Sequence, residues 1–395
     1  MTRRVNTNPD FFGFAELLSD AERAELAEIR EFLEQELAPL ADEAWEKSEF
    51  PFEVFDKLAK LDLAGRMYPE YSSGHERRSA LFNGFLNLEM NRIDPSFAVA
   101  GGVHSGLAMG SIHGGGSQEQ RDRWMPDMVA YRKIGAFALT EPEGGSDVAG
   151  GMRTTARREG DSWVLNGAKR WIGNGTFADL VVVWARDEAD GNVKGFVVEK
   201  GTPGFTATKI EGKIALRTVQ NADIVLDGVR VPESNRLQKI NSFRDTAEVL
   251  RMTRGGVAWQ ALAIAVRAYE LARQYSTERV QFGKPIGGFQ MIQDLLVKML
   301  GNITAMFGVV TRLAQLSEEG RDTAEQAALA KAFTTTRMRE VVAWARELFG
   351  GNGIVLEYGV AKLFADAEAV YSFEGSREMN TLIVGKAVTG QSAFV

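Results

Sequence analysis

Residues 180–198 read LVVVWARDEADGNVKGFVV, and this stretch decides the fold class. Its two apolar runs, residues 180–184 and 195–198, are rich in β-branched and aromatic side chains, which favour strands. The Asp-Gly-Asn sequence at residues 190–192 separates them and is typical of a turn. The pattern predicts two strands joined by a tight connection.

The same short period extends on both sides, from about Phe137 to about Phe243. Further strand-like runs lie at residues 163–165 and 223–226. Further turn dipeptides, each containing a glycine, lie at residues 166–167, 203–204 and 227–228. Short strands separated by turn signals predict a small all-β unit.

Helical periodicity precedes this unit. Ser19 and Glu22 have the spacing of a capping box, which marks a helix start. Apolar residues then recur at spacings of three and four, namely Leu26, Ile29, Leu33, Leu37 and Leu40. This spacing predicts one buried face of an amphipathic helix. Residues 81–93 continue the helical pattern.

Helical periodicity returns after about Thr246 and continues to the end of the chain. Residues 257–275 are apolar almost all round, which predicts a buried helix; residues 289–316 and 324–348 are comparably long. Separate blocks of helices, strands and helices favour a mixed, segregated α and β fold over βαβ units. We expect an N-terminal all-α domain (residues 1–136), a central β-barrel-like domain (137–243) and a C-terminal four-helix bundle (244–395).

Composition excludes several classes of function. The 395 residues are too many for one core, and the net charge of -7 disfavours binding to nucleic acid. The absence of cysteine excludes disulfides and thiolate chemistry, and three histidines without HxxxH or HExxH spacing predict no metal site. The sequence has no signal-peptide pattern, and we expect no stretch apolar enough to span a bilayer. We therefore expect a cytoplasmic protein without a membrane span.

Two segments around the β unit carry candidate chemistry. Residues 139–147, LTEPEGGSD, contain glycines that let backbone N–H groups approach an anion, and Ser146 adds a hydroxyl donor. A surface turn is the alternative. Residues 169–174, KRWIGN, place the ring of Trp171 beside exposed backbone donors, although a core tryptophan at a strand end is the alternative.

Further candidate segments lie in the C-terminal part. Residues 279–285, RVQFGKP, contain an Arg and a Gln that suit a pyrophosphate, or they simply connect two helices. The glycines of residues 349–353, FGGNG, could equally end a helix. In residues 371–376, YSFEGS, Glu374 lies between an aromatic residue and a glycine, which is unusual for a solvated carboxylate. The alternative is that Glu374 caps the next helix.

Together, in this order and spacing, these segments resemble the acyl-CoA dehydrogenase/acyl-CoA oxidase superfamily over nearly the whole chain. The resemblance implies FAD bound between the β domain and the bundle, and a homotetramer in which each FAD also touches a neighbouring subunit. It implies α,β-dehydrogenation of an acyl-CoA thioester to the trans-2-enoyl-CoA, in fatty acid metabolism. Electrons would then pass to an electron-transfer flavoprotein.

The resemblance also implies roles for individual residues. Glu374 matches the catalytic base, and Ser146, Arg254 and Gly375 match substrate contacts. The positions that match contacts to the FAD of the same subunit are Phe137, Leu139, Thr140, Ser146, Trp171, Ile172, Gly173, Ser376 and Glu378. The positions that match contacts to the FAD of the adjacent subunit are Arg279, Gln281, Phe282, Glu347, Leu348, Gly350 and Gly351.

Departures from the family pattern bear on the substrate. The nearest subgroup is that of glutaryl-CoA dehydrogenases and short-chain acyl-CoA oxidases. Glutaryl enzymes read the distal carboxylate with an Arg and a Glu, but the matching positions here are Asn91 and Ala98. Since an uncompensated buried carboxylate is costly, we expect a short-chain, mono-carboxylic acyl group. Some relatives carry the base at the position of Thr253, which cannot serve as one.

Alternatives remain open at this point. Gly173 stands where many dehydrogenases carry a Thr that is hydrogen-bonded to the flavin, so a short-chain acyl-CoA oxidase that uses O2 is one alternative. A glutaryl-CoA dehydrogenase and a non-catalytic acyl-CoA-binding paralogue are others, although the intact Glu374 argues against the paralogue. Relatives that act on nitroalkanes tend to carry Asp at the position of the base, so Glu374 favours CoA esters.

Overall fold

The N-terminal part of the chain is helical. The computed structural model describes residues 6–72, 77–148 and 150–393, with the backbone alone for 247–252. The helices of this part are α1 (Asp20–Glu36), α2 (Ala38–Lys47), α3 (Glu53–Lys60), α4 (Leu63–Met67), α5 (Ala80–Ile93), α6 (Pro95–Gly102), α7 (Met109–Gly115) and α8 (Gln118–Val129). A π-helical segment, Val103–Ala108, joins α6 to α7.

The predicted amphipathic helix is two helices. The capping box is confirmed, because the Ser19 side chain accepts the Glu22 N–H and the Glu22 carboxylate accepts the Ser19 N–H. The predicted apolar face is buried from Leu26 to Leu37. The helix ends at Glu36, however, and α2 begins at once with Pro39 in its first turn. Proline has no N–H to continue the hydrogen-bond ladder.

The central part is a curled sheet of seven strands. They are β1 (Gly135–Ala138), β2 (Thr155–Glu159), β3 (Ser162–Ile172), β4 (Leu180–Asp187), β5 (Val193–Glu199), β6 (Phe205–Lys209) and β7 (Ala222–Pro232). Their order is β1-β4-β2-β3-β7-β6, with β5 on β4. The predicted pair β4 and β5 is antiparallel, with Leu180 opposite Glu199 and Arg186 opposite Val193. In β1, Phe137 faces the helices, whereas Ala136 and Ala138 face the apolar core of the sheet.

The C-terminal part is again helical. It contains α9 (Phe243–Glu278), the two short strands β8 (Val280–Gln281) and β9 (Lys284–Pro285), and the helices α10 (Gln290–Glu318), α11 (Ala324–Leu348), α12 (Val360–Ser372) and α13 (Arg377–Thr389). Three long helices, α9, α10 and α11, pack on one another, and α9 also packs on α5. Two shorter helices, α12 and α13, pack on α11 where one fourth helix was expected. The turn between them carries Glu374.

Helix α10 differs from the expectation about membranes. Its 29 residues have a mean hydropathy of 1.3, so it is long and apolar enough to cross a bilayer by length and composition. The prediction that no stretch would be apolar enough is therefore wrong for α10. A single helix of this kind is weak evidence for a membrane span, because buried helices of globular proteins pass the same test. Only 33% of its apolar window is buried within this chain.

Candidate active site

Glu374 lies in a tight turn between α12 and α13. Its φ is +55° and that of Gly375 is +79°. A non-glycine residue in this left-handed region is uncommon and costs about 1–3 kcal/mol, and such residues cluster at functional sites. Ser376, whose side chain accepts the Met379 N–H, caps α13. The alternative that Glu374 is merely a helix cap is therefore wrong.

The Glu374 carboxylate faces α9. The Thr253 hydroxyl donates a hydrogen bond to its Oε2 at 3.0 Å. Burial raises the pKa of Glu374, and although the Thr253 hydrogen bond and the charges of Lys331 and Arg254 oppose this effect, the pKa stays above its ordinary value. A carboxylate with a raised pKa is a stronger proton acceptor than a solvated one.

Two side chains stabilise the Glu374 turn by donating hydrogen bonds to its carbonyl groups. The Lys331 ammonium, fully buried on α11, donates hydrogen bonds to the carbonyls of Phe373 and Gly375. The Asn380 amide donates to the Gly375 carbonyl at 2.9 Å and to the Ser376 carbonyl at 3.0 Å. Sequence analysis missed both residues, because neither belongs to a motif. The available signal was a lysine among the buried alanines of α11.

Helix α6 and the π-helical segment present an open face. Gly102 and Gly106 lie one turn apart, and a Cβ atom at either position would meet no described atom within 4 Å. Val103, between them, faces Gly173, whose Cβ position lies 3.1 Å from Val103 Cγ2. This open face therefore lies beside the Trp171–Gly173 segment of the β domain.

The end of β3 and the residues after it are held in an unusual conformation. Trp171 and Asn174 have φ values of +65° and +61°. The buried Asn174 amide donates to the Ala100 carbonyl at 3.0 Å and to the Gly135 carbonyl at 3.2 Å. Trp171 is 51% exposed, which overturns the alternative of a core tryptophan, whereas Ile172 and Gly173 are buried.

The loop after β1 is shaped by a buried ion pair. Glu141 accepts hydrogen bonds from the N–H groups of Arg153 and Thr154 and from the Lys169 ammonium at 2.9 Å. Lys169 also donates to the Leu139 carbonyl. Burial lowers the pKa of Lys169 to about 8; it would raise that of Glu141, but the Lys169 charge and the hydrogen bonds outweigh it and the Glu141 pKa falls.

The predicted cofactor residues of this loop differ in exposure. Phe137 and Leu139 are buried and face the helices. Thr140 is half-buried, and Ser146 is exposed. In the first turn of α13, Ser376 is half-buried and Glu378 is exposed. The Arg170 N–H, one residue before Trp171, donates to the Thr140 carbonyl at 2.9 Å, and the hydroxyls of Thr140 and Ser146 are among the accessible polar groups of the loop.

The β8–β9 hairpin lies at the far end of α9. Phe282 and Gly283 have φ values of +51° and +80°, which a two-residue type I′ turn requires, and Phe282 is 92% exposed. The segment is thus a helix connection, as the alternative stated, but it presents Arg279, Gln281 and Phe282 to the surface.

A second predicted segment packs on the C-terminal end of α9. The Tyr275 and Phe349 rings stack at 4.2 Å, and the Asn352 amide donates to the Tyr275 hydroxyl at 2.9 Å. Helix α11 does end here, with Gly350 at a φ of +60°. Glu347, Gly350 and Gly351 are exposed, whereas Leu348 is only 6% exposed and packs inward.

The hairpin is remote from Glu374 within one chain. Arg279 follows Thr253 by 26 residues of the continuous helix α9, which at 1.5 Å per residue is about 39 Å. Thr253 contacts Glu374 directly. The turn of Glu374 and the hairpin are therefore two separate places in one chain.

The positions predicted to read a distal carboxylate carry no positive charge. Asn91 is 3% exposed, and its amide donates to the Asn87 carbonyl and side-chain oxygens at 2.9 and 2.8 Å. Neighbouring Arg92 cannot substitute, because it is paired with Glu34, Glu89 and Glu270. Within the described ranges, no group of three or more His, Asp or Glu side chains could hold a metal ion.

Comparisons with protein families cover most of the chain. Residues 19–132, 136–229 and 243–389 match the acyl-CoA dehydrogenase N-terminal, middle and C-terminal domains. An acyl-CoA dehydrogenase of Bacillus subtilis (strain 168) is 34% identical over 92% of this chain and 96% of its own. A short-chain specific acyl-CoA dehydrogenase of Megasphaera elsdenii is 33% identical over 94% and 98%.

Solved structures are similar over nearly the full length. A glutaryl-CoA dehydrogenase from Mycobacterium smegmatis has a TM-score of 0.94 and 38% identity over 99% of this chain and 100% of its own. Another from that organism, in complex with FADH2, has a TM-score of 0.92 and 34% identity over 97% and 98%. A chain of a structure described as the electron transferring flavoprotein of Acidaminococcus fermentans has a TM-score of 0.89 and 31% identity over 95% and 99%.

Proposed function

The chain belongs to the acyl-CoA dehydrogenase family, and from that premise we propose that Glu374 is the base that removes the α-proton of a short-chain acyl-CoA. The reaction is FAD-dependent dehydrogenation of an acyl-CoA thioester. The observation that carries the proposal is the turn itself. It holds a carboxylate with a raised pKa in a left-handed conformation and within hydrogen-bond distance of Thr253.

We propose that a flavin binds between the Glu374 turn and the Trp171 segment. Trp171 offers a half-exposed ring, Thr140 and Ser146 offer hydroxyls, and the face at Gly102 and Gly106 is open. Bound FAD supplies the acceptor for the hydride that leaves the β-carbon of the substrate. The further flavin contacts that we propose are Ile172, Gly173, Ser376 and Glu378. The buried side chains of Phe137 and Leu139 would pack behind these contacts.

The proposed work of the protein is acid–base chemistry and orientation. The Gly375 backbone N–H would donate to the thioester oxygen, on which negative charge grows as the α-proton leaves. Glu374 receives that proton. Arg254, on α9 one residue beyond Thr253, would contact the CoA portion of the substrate, and the exposed Ser146 hydroxyl would add a second contact.

We propose a mono-carboxylic acyl group of short chain length. Asn91 and Ala98 offer no cation for a distal carboxylate, and Arg92 is already matched by three glutamates. Burying an unpaired carboxylate there would cost several kcal/mol, roughly 2–7 even for a neutral polar group. The short-chain relative from Megasphaera elsdenii favours the same choice. The similarity to glutaryl-CoA dehydrogenases keeps glutaryl-CoA as the substrate to be tested against it.

We propose a homotetramer in which the hairpin group serves a neighbouring subunit. Arg279 lies about 39 Å along α9 from the base. The hairpin residues Arg279, Gln281 and Phe282, together with Glu347, Leu348, Gly350 and Gly351 at the end of α11, would therefore contact a different FAD. Exposed apolar residues on α10, such as Met291 at 81%, suit a subunit interface. The electron acceptor we propose is an electron-transfer flavoprotein, and a cytoplasmic location stays a prediction.

An anaerobic titration with three thioesters tests the substrate proposal. Purified protein is mixed with butyryl-, octanoyl- and glutaryl-CoA, and flavin absorbance is followed before and after air is admitted. We expect butyryl-CoA to bleach the flavin fastest and glutaryl-CoA slowest, with slow recovery in air. Equal bleaching by glutaryl-CoA would refute the mono-carboxylic assignment, and rapid recovery in air would identify an oxidase. No bleaching by any ester, despite bound FAD, would refute the proposed function.

A further inference from the structure

The turn that carries Glu374 needs external support. Glu374 and Gly375 both have positive φ, and the first of them carries a side chain. Such a conformation persists only where the surroundings over-determine it. The turn also follows the C-terminus of α12, where unpaired carbonyls give the helix end a partial negative charge.

Lys331 supplies that support from a different helix. Its ammonium donates to the Phe373 and Gly375 carbonyls, one on each side of Glu374. Asn380 supports the same turn, but only from the far side, through Gly375 and Ser376. Of the two residues, Lys331 is thus the one that holds a carbonyl on each side of Glu374.

The choice of a charged donor requires an explanation. A buried ammonium loses hydration worth several kcal/mol, whereas a neutral amide could donate the same two hydrogen bonds at a lower cost. The charged groups that face Lys331 are Glu374, Arg254 of α9 and Glu378 of α13. Arg254 repels it, whereas the two carboxylates and the partial negative charge at the end of α12 favour a charge at this position. Glu374 has the closest connection, through the two carbonyls that flank it.

We infer that Lys331 is a positioning residue for the base. It fixes the turn through both carbonyls, and its charge keeps the Glu374 carboxylate ionised in a site that burial makes unfavourable for a negative charge. The inference rests on the proposed role of Glu374. The pKa of Lys331, which burial lowers to about 8 against the opposing influence of Glu374, is consistent with an ammonium at neutral pH.

Three variants separate the two roles of Lys331. Lys331→Arg keeps the charge, Lys331→Gln keeps a neutral donor, and Lys331→Met removes both. The measurement is the pH dependence of kcat/KM with butyryl-CoA, whose acidic limb reports the base of the free enzyme. Lys362→Gln, which removes a buried lysine paired with Asp94 elsewhere, is the matched control for loss of a buried charge. FAD content and a thermal melt verify that each variant is folded.

We expect the acidic limb to move to higher pH by about one unit in Lys331→Gln, which is roughly a tenfold loss below the limb. At pH 9 the loss should be less than about threefold. Lys331→Arg should keep the wild-type limb, and so should Lys362→Gln. If Lys331→Met does not retain FAD, the comparison of Lys331→Gln with Lys331→Arg still tests the inference.

A uniform loss of kcat/KM at every pH in Lys331→Gln, with an unmoved limb, would overturn the inference and leave Lys331 as a packing residue. Failure of the proposed function looks different. In that case Glu374→Gln would keep wild-type activity, whatever the Lys331 variants do.

Discussion

The hydrogen bond between Thr253 and Glu374 gives a prediction whose size can be worked out. Thr253→Val keeps the shape of the side chain but removes the hydroxyl that donates to Oε2 at 3.0 Å. A hydrogen bond to a charged group contributes about 1.5–3 kcal/mol. Because one pKa unit corresponds to about 1.4 kcal/mol, the pKa of Glu374, already raised by burial, should rise by a further one to two units.

The sign of the effect on activity follows from the role of a base. A higher pKa leaves Glu374 protonated over a wider range of acidic pH, so the acidic limb of kcat/KM should move upward. At pH values below the acidic limbs of both enzymes, Thr253→Val should be about 10- to 100-fold less active than the wild type. Above both limbs the two enzymes should agree within about threefold, since the ionised base is at least as strong.

The assay is the anaerobic rate of flavin reduction by butyryl-CoA at subsaturating concentration, measured across pH. Thr253→Ser, which keeps the hydroxyl, is the matched control and should retain the wild-type limb. A limb that stays in place in Thr253→Val, or that moves equally in Thr253→Ser, would refute the reasoning. The contact would then be incidental to the state of the base.

Other contacts give further predictions. Burial lowers the pKa of His104 to about 4 against an ordinary value of 6.5. The folded state keeps this ring neutral, so its stability is at its full value above pH 6.5. As the pH falls toward 4, the free energy of unfolding decreases by about 3 kcal/mol. In thermal melts between pH 7 and 4.5, His104→Gln should lose less stability than the wild type. Lys169→Met should leave Glu141 buried without its cation and cost about 3–5 kcal/mol, with loss of FAD; adding Glu141→Gln should recover part of both, and an unchanged melt would contradict the role of the pair. Gly173→Thr alone should bind FAD poorly because Val103 lies 3.1 Å from the new Cβ, and a second change, Val103→Ala, should restore binding. If that double variant reoxidises in air at the wild-type rate, Gly173 does not govern oxygen reactivity.

The order of the domains could be predicted from the sequence because it depends on local periodicity. The Ser19 capping box, the buried helix at residues 257–275 and the apolar strands β4 and β5 each carry a strong short-range pattern. Strands β2 and β6 were missed because their side chains alternate weakly: β2 reads TARRE and β6 reads FTATK. Such strands form because their neighbours supply backbone partners, and no local pattern reports that.

The site residues divide in the same way. Glu374 and Trp171 could be singled out because each lies within two residues of a glycine in a recognisable segment. Their left-handed φ values could not be foreseen, since tertiary contacts impose them. Lys331 comes 43 residues before Glu374 in the chain, and its role depends on where α11 meets the turn. Long-range contacts of this kind leave no signature in one sequence.

The most direct test of the central claim compares the wild type with Glu374→Gln in one anaerobic turnover. Both proteins, loaded with FAD, are mixed with butyryl-CoA, and the flavin absorbance is recorded together with the binding of the ester. We predict that Glu374→Gln binds FAD and butyryl-CoA but reduces its flavin about 10²- to 10⁴-fold more slowly than the wild type, since a positioned base contributes that much. Flavin reduction by Glu374→Gln at the wild-type rate would contradict the account.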